Sequence, residues 1–461
     1  MMTPISTELL ERFDVPGPRY TSYPTADRFV EAFGCDQYAT ALKQRQIGFG
    51  QSMAPLSLYV HIPFCESLCY YCACNKVITK KYGQALGYLD LLEREIDIST
   101  HHLGSRQSVS QLHLGGGTPT YLKDEDLSRL MSSVDAAFEL TTNCERSIEV
   151  DPRTINKQRL EVLKKLGFNR LSFGVQDFNE HVQKAVHRVQ PFEDVESLMQ
   201  SSRETGFDSI NLDLIYGLPL QTPASFSRTL DQLVQLSPER VALYAYAHLP
   251  TRFKAQRRIS DYQLPSADSK LSMLSLAIDK LLEAGYVYIG MDHFAKPTDS
   301  LAVSKRRGTL HRNFQGYSVF PNTDLLGIGV SAISRVGATY SQNAKSIEDY
   351  GNWVMHGQLP VERGLLLTRD DLLRRTVIMA LMCQGLLIFE DIEQTYLINF
   401  KEYFKSELSA LAPMHEDGLI VMDAHTIEVT QMGWYFVRAV AMAFDKYLAF
   451  DLNRNRFSKI I

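Results

Sequence analysis

The chain has 461 residues, 45% of them hydrophobic and 22% charged, with a formal net charge of −5. That length accommodates one large catalytic domain and a smaller one, and the acidic balance argues against a general nucleic-acid or membrane-surface binder. No apolar run approaches the ~20 residues a membrane span needs. The start, MMTPISTELLERFDV, lacks a basic region followed by an apolar core, so no secretory signal is expected. Seven cysteines, four of them crowded together, are not a disulfide framework and point to a reducing, cytoplasmic setting.

Residues 1–50 read as an N-terminal arm. A short helix is predicted over 6–13, followed by VPGPRYTSYPTADRF, whose three prolines around Arg19, Tyr20 and Tyr23 predict extended chain packed on something larger. From Leu56 the pattern alternates. Apolar, β-branched runs occur at 56–64, 111–117, 146–152, 170–176, 210–219 and 240–249. Helical stretches intervene at 87–98, 124–138, 156–167 and 224–236, with apolar residues recurring three and four apart. Repeated β–α units predict a parallel sheet covered by helices, here an α/β fold: a partial, six-stranded relative of the TIM barrel. Polar and small residues collect at the strand C-termini, where barrels place their chemistry: Cys65 onward, Gly115–Thr118, Glu149, Gln176, Asp213 and Ala247.

A long helix is predicted over 266–285, then segments rich in glycine and aromatics up to about Ser334, read as facing a substrate. These complete a catalytic domain of residues 51–364. Thr368 and Asp371 form a T-x-x-D start to a helix ending near Cys383. Further helices, a hairpin over 418–430 and a last helix over 432–447 make residues 365–461 a helical, winged-helix-like domain. Its ten Lys/Arg and thirteen Asp/Glu are poor electrostatics for a duplex, so a lid or packing role is expected rather than DNA binding.

The densest chemistry lies in HIPFCESLCYYCACNK (61–76). Cys65, Cys69 and Cys72 form C-x3-C-x2-C, three soft ligands from one short loop. Zinc ribbons usually add a second ligand pair from a distant segment, and no second CxxC or HxxxH is present. A [4Fe–4S] cluster held by three cysteines leaves one iron open to a small molecule; a zinc site and a redox disulfide are the alternatives. The stretch resembles the signature of radical S-adenosylmethionine (SAM) enzymes. GGGTPTY (115–121) follows a predicted strand, and its glycines let backbone approach a ligand; a tight turn explains them equally well. Glu149, Gln176 and Asp213 are polar groups at strand ends, and each alone could cap a helix. Their convergence on one barrel mouth favours a site.

Taken together, PRYTSYPTA, SLYVHIPFC, LCYYCACNK, LHLGGGTPTYL, SIEVDPR, RLSFGVQDFN, INLDLIYGLP, MDHFAKP, LHRNFQGY and DLLGIGVSAIS resemble the oxygen-independent coproporphyrinogen III dehydrogenase family of haem biosynthesis. The resemblance runs from about residue 15 to the C-terminus. It implies that Cys65, Cys69 and Cys72 bind a [4Fe–4S] cluster. It implies that Tyr59, Gly116, Glu149 and Ile333 line a first SAM. Tyr71, Gly117, Thr118, Gln176, Arg188, Asp213 and Ala247 would surround a second. Tyr71 departs from the Phe common in relatives, and SVFPN (318–322) matches the family pattern least well. The implied reaction converts two propionates of coproporphyrinogen III to vinyl groups by a SAM-derived radical, with Tyr59, Cys74 and Glu149 as catalytic residues. An electron donor such as a flavodoxin or ferredoxin, and a monomeric chain, are expected. Arg19, Lys296 and Arg312 are candidates for the substrate carboxylates. The rival reading is a haem-binding chaperone paralogue, which lacks the arm and the fourth cysteine, both present here.

Overall fold

The computed structural model describes residues 7–46, 54–291, 293–320, 323–448 and 457. Pro321 and Asn322 of SVFPN and residues 47–53 at the end of the arm lie outside them. The chain forms two compact units, Met1–Arg28 with Ile278–Pro321 and Leu367–Ile461, and Phe29–Ala277 with Asn322–Leu366. The division read from the sequence (1–50, 51–364, 365–461) is colinear, whereas the contacts are not. Residues 278–321 pack with the C-terminal residues, and residues 29–50 belong with the barrel.

The larger unit is built on ten strands. β1 (Leu56–Ile62), β2 (Gln107–Gly116), β3 (Phe138–Val150), β4 (Arg170–Gln176), β5 (Ser209–Tyr216) and β6 (Arg240–Ala245) are followed by β7 (Leu325–Ile328), β8 (Ile333–Val336), β9 (Thr339–Asn343) and β10 (Val361–Leu366). Their order is β10-β9-β8-β7-β1-β2-β3-β4-β5-β6. β1 to β6 pair in parallel, in sequence order. The expected six-stranded sheet carries a seventh parallel strand, because β7 pairs with the free edge of β1, Leu58 opposite Leu326. The antiparallel strands β8 to β10 extend it. This is the predicted α/β partial barrel.

Among the described residues the helices of this unit include α1 (Cys35–Gln46), α2 (Gly83–Leu103), α3 (Asp124–Ala137), α4 (Lys157–Lys165), α5 (Glu180–Ala185), α6 (Phe192–Thr205), α7 (Pro223–Leu236) and α8 (Ile347–Met355). Local signals set their ends. Asn156 caps α4 through the Arg159 N–H, Thr222 and Ser225 form a capping box on α7, and α2 stops at left-handed Gly104. Along each central strand one alternate set is fully apolar: Leu112 and Leu114, Ile148 and Val150, Leu171, Phe173 and Val175, Ile210, Leu212 and Leu214 are all buried. Each such side chain contributes roughly 1.5–3 kcal/mol of burial. The other set is polar, and it forms the site.

On α2, Tyr88 donates to the carbonyl of His61 (2.9 Å) and accepts from the Val330 N–H (2.9 Å). Two turns on, Glu95 accepts from the Gly329 N–H, Asn343 and Tyr350. Both side chains hold the loop between β7 and β8.

In the smaller unit the arm is packed, not loose: Tyr20 and Tyr23 are buried, and Tyr20 donates to Asp445 (3.0 Å). Its helix spans Thr7–Phe13. Helix Arg369–Gln384 opens with the predicted capping box of Thr368 and Asp371. The hairpin Ile420–Met422 with Thr426–Val429 gains a third strand, Leu386–Ile388. The single last helix expected over 432–447 is instead a 3-10 turn, Gly433–Phe436, and a short α-helix, Val437–Met442. Among the described residues no helix is long and apolar enough to cross a membrane.

Candidate active site

The parallel registers stack the polar strand positions of the larger unit into layers, as in other barrels. In the lowest layer Gln111 donates to Glu145 (2.9 Å), which also meets the guanidinium groups of Arg170 and, at 4.0 Å, Arg240. Burial pushes the Glu145 carboxyl up, but Arg170 and Arg240 outweigh it and hold it at about 2. Above this lie His113, bonded to Ser147 (2.5 Å), and Asn211, which donates to Ser172 (2.9 Å) and Asp213 (2.7 Å). The top layer is Glu149 and Asp213. Glu149 accepts from the Gly116 N–H (3.0 Å) and from His113 Nε2 (3.3 Å). Burial again opposes its ionisation, yet His113 and Gly116 hold it below the usual carboxylate range. Asp213 moves the other way, pushed up to about 7 by burial and then by the Glu149 charge. Two carboxyls in one layer thus differ in protonation near neutral pH.

The cysteine loop leaves the top of β1. Its neck is closed by parallel pairing of Phe64–Cys65 with Val77–Ile78 and by the Thr79 N–H to the Cys65 carbonyl (3.1 Å). Each of the three C-x3-C-x2-C thiols has a donor of its own. Thr118 donates to Cys65 Sγ (3.4 Å), while Arg188 (3.5 Å) and Arg153 (3.8 Å) both reach Cys69 Sγ. Cys72 is hydrogen-bonded by the Cys74 thiol, and this contact, with Lys76 nearby, outweighs burial and draws Cys72 down to about 6. Burial pushes Cys65 up to about 11. Among the described residues no group of three or more His, Cys, Asp or Glu side chains is placed to hold a metal ion. Three soft donors along one loop suit a cluster whose irons each take one thiolate. All seven cysteines are free.

The loop and the strand ends enclose a cavity of about 990 Å³. Cys65, Cys69, Tyr71, Cys72 and Cys74 line it, together with Gly116, Gly117, Thr118, Glu149, Gln176, Arg188 and Asp213. The glycines are required by space. A Cβ on Gly116, whose φ is +117°, would stand 2.6 Å from the His61 ring, and one on Gly117 would stand 2.6 Å from the Pro63 carbonyl. Gln176 sits in the left-handed region (φ +71°) beside a register shift at the end of β4, a strained geometry typical of functional sites.

Three predicted residues do not line the cavity. Tyr59 lies a layer down, stacked on His113 (5.8 Å) and hydrogen-bonded to His61 Nδ1 (3.0 Å). Ala247 presents its carbonyl to Gln256, and Ile333 opens β8 opposite Gln342. Arg19, Lys296 and Arg312 belong to the smaller unit, where Arg312 is buried with its guanidinium 4.7 Å from the Tyr317 ring. Residues not singled out from the sequence are Asp151, Arg153, His61 and His113. Asp151 accepts from Arg153 (2.6 Å) and Arg188 (3.0 Å), steering both toward Cys69. Its signal was period 2: Asp151 follows Glu149, and His113 precedes Gly115, by two.

The Radical SAM superfamily matches residues 59–233, and the HemN C-terminal domain matches residues 367–436. The oxygen-independent coproporphyrinogen III oxidase of Pseudomonas aeruginosa is 50% identical over 457 residues, covering 98% of both chains. That of Escherichia coli is 48% identical over 453 residues with the same coverage, and that of Synechocystis is 42% identical, covering 99% of this chain and 98% of its own. The solved structure of the Escherichia coli coproporphyrinogen III oxidase HemN, described as a radical SAM enzyme, superposes with a TM-score of 0.89 at 47% identity. It covers 94% of this chain and 100% of its own. With a cysteine loop over a polar-lined barrel mouth and full-length likeness of this order, the chain belongs to the oxygen-independent coproporphyrinogen III oxidase family of radical SAM enzymes.

Proposed function

We infer that the chain performs the oxidative decarboxylation of two propionate side chains of coproporphyrinogen III to vinyl groups, giving protoporphyrinogen IX without oxygen. The observation that carries this reading is the cavity of the larger unit, where three cluster-type thiols face Glu149 and the Gly116–Gly117 backbone. Radical SAM membership implies a [4Fe–4S] cluster and SAM; when bound they supply a 5′-deoxyadenosyl radical that takes a hydrogen atom from a propionate β-carbon, after which CO2 and one electron leave. Cys65, Cys69 and Cys72 would hold the cluster.

The chain's own groups bind and orient. Glu149 is ionised, and its side chain remains 41% accessible, so it suits the ammonium of a first SAM, with Tyr59, Gly116 and Ile333 completing that site. His61 donates from Nε2 to the Asn75 carbonyl (3.1 Å) and accepts from Tyr59 at Nδ1. This fixes one neutral tautomer and ties the cysteine loop to the floor of the site. A second SAM is assigned to Tyr71, Gly117, Thr118, Gln176, Arg188, Asp213 and Ala247. Cys74 is placed beside the reacting groups, because a fourth thiolate ligand would close the iron that SAM needs. Arg19, Lys296 and Arg312 are assigned to substrate carboxylates. The electron comes from a flavodoxin- or ferredoxin-type donor, and the chain acts as a monomer in the cytoplasm.

Anaerobically prepared protein, incubated with SAM, a reductant and coproporphyrinogen III, should form a divinyl porphyrin. It should be brown, and Cys65→Ala, Cys69→Ala and Cys72→Ala should each abolish both colour and SAM cleavage. A colourless, zinc-loaded, folded native protein would overturn the reading.

A further inference from the structure

The reaction needs an electron from outside the chain, and the larger unit carries a basic turn fastened to the cysteine loop. Residues 251–258 read TRFKAQRR, four cations and no acid, in a chain of net charge −5. Arg252, Lys254, Arg257 and Arg258 are all exposed. Among the described residues none of the four is ion-paired: Arg257 donates to the Pro250 carbonyl (3.0 Å) and Arg252 lies over Phe253. The one neighbouring acid, Asp261, faces His248 (3.0 Å), and next to it Tyr262 is 86% exposed.

Two contacts tie this turn to the cluster loop. Gln256 is buried, and its amide donates to the carbonyls of Tyr71 (3.0 Å) and Ala247 (3.2 Å) while its oxygen accepts from the Leu249 N–H. Arg258 lies over the Tyr70 ring (5.2 Å) and donates to its hydroxyl (3.2 Å). Tyr70 follows Cys69 and Tyr71 precedes Cys72. The Tyr70 ring also stacks on His187 (5.1 Å), whose Nδ1 bonds the Leu68 carbonyl (2.8 Å). Arg258 and Gln256 thus fasten the basic turn to the residues that adjoin Cys69 and Cys72.

We propose that residues 251–262, with Tyr70, form the docking surface for an acidic one-electron carrier protein. The proposal rests on the cluster being held by Cys65, Cys69 and Cys72. One electron leaves the carrier's reduced flavin or iron–sulfur centre and turns [4Fe–4S]2+ into [4Fe–4S]+; no bond or proton moves. Four unpaired cations on a short turn steer a negatively charged partner. The exposed Tyr262 supplies an amphipathic contact of the kind interfaces favour, and the small patch matches the weak, transient encounters of redox pairs.

The test uses cluster-loaded full-length protein under argon, reduced either by an acidic flavodoxin or by photoreduced 5-deazariboflavin, a small uncharged reductant. The variant is Lys254→Glu/Arg257→Glu, which touches neither Tyr70 nor Tyr71. Bleaching by flavodoxin should slow about tenfold or more in the variant, and in the wild type should slow steeply as salt rises from about 50 to about 500 mM. Bleaching and porphyrin turnover driven by deazariboflavin should be unchanged. Equal flavodoxin rates in both proteins, a salt-independent wild-type rate, or saturating occupancy of the turn by an RNA oligonucleotide that leaves the flavodoxin rate unchanged would overturn the proposal. Loss of deazariboflavin-driven turnover in the wild type would instead strike the functional reading.

Discussion

Arg188 Nη1 lies 3.5 Å from the sulfur of Cys69 and 3.0 Å from the Asp151 carboxylate, so one buried guanidinium joins an acid to a thiol of the C-x3-C-x2-C loop. Arg153 repeats the arrangement from the solvent side, 3.8 Å from the same sulfur. Two cations at one ligand favour the more negative, reduced form of a bound cluster. Arg153→Met should therefore lower the midpoint potential, by an amount on the order of tens of millivolts. An anaerobic redox titration followed by electron paramagnetic resonance measures it. An unmoved potential would show that Arg153 acts on Asp151 alone.

Glu149 stands near the end of β3 and lines the cavity, where the proposed SAM site needs a carboxylate. Glu149→Ala removes acceptors for Gly116 and His113 at the edge of a cavity, a loss of about 1 kcal/mol of stability. The cluster spectrum should survive while SAM affinity, measured by equilibrium binding, falls about 100-fold or more, the scale of a charge-assisted pair. Unfolding, or normal SAM affinity, would contradict this.

Cys74 is proposed to differ from its three neighbours in role. It donates its thiol hydrogen bond to Cys72 and lines the cavity. Cys74→Ser should retain about four irons per chain and the cluster absorption, yet convert coproporphyrinogen at least about tenfold more slowly. Iron loss matching that of Cys69→Ser would make Cys74 a ligand, and full activity would make it a filler.

Glu95 sets a pH dependence away from the cysteines. Burial raises its carboxyl from an ordinary 4.5 to about 7, against the pull of Tyr350, Gly329 and Asn343. A folded-state value above the unfolded one means that the stability it contributes is complete below about 4.5 and is lost as pH rises through about 7, on the order of 3 kcal/mol in all. Glu95→Gln cannot ionise. Between about pH 5 and about pH 8 the anaerobic melting temperature of the wild type should therefore fall relative to that of the variant. A constant difference would place the Glu95 titration elsewhere.

The sequence made the strands, the cysteine loop and the strand-end carboxylates legible, because period-2 and period-3.6 patterns and C-x3-C-x2-C are local. Twelve proposed site residues meet at one cavity, though Tyr71 and Arg188 among them came from the family resemblance and not from a local pattern. The seventh parallel strand was not legible: LLGI is short, and only its pairing with β1 distinguishes it from a loop. Asp151 and Arg153 were not singled out, since nothing in one dimension shows that Arg188, far along the chain, shares the Asp151 carboxylate. The grouping of residues 278–321 with the C-terminal unit was hidden for the same reason.

The pairing of β1 with β7 also orders events on the ribosome. β1 and the cysteine loop emerge early, and β2 covers one edge of β1 soon after. The other edge stays open until Leu325–Ile328 is made, more than half the chain later, and the Tyr88 clamp on His61 lacks its Val330 partner until then. The cysteine loop therefore has no finished floor beneath it until residues 325–330 have emerged. A cluster bound there would be inserted late, after most of the chain has been made.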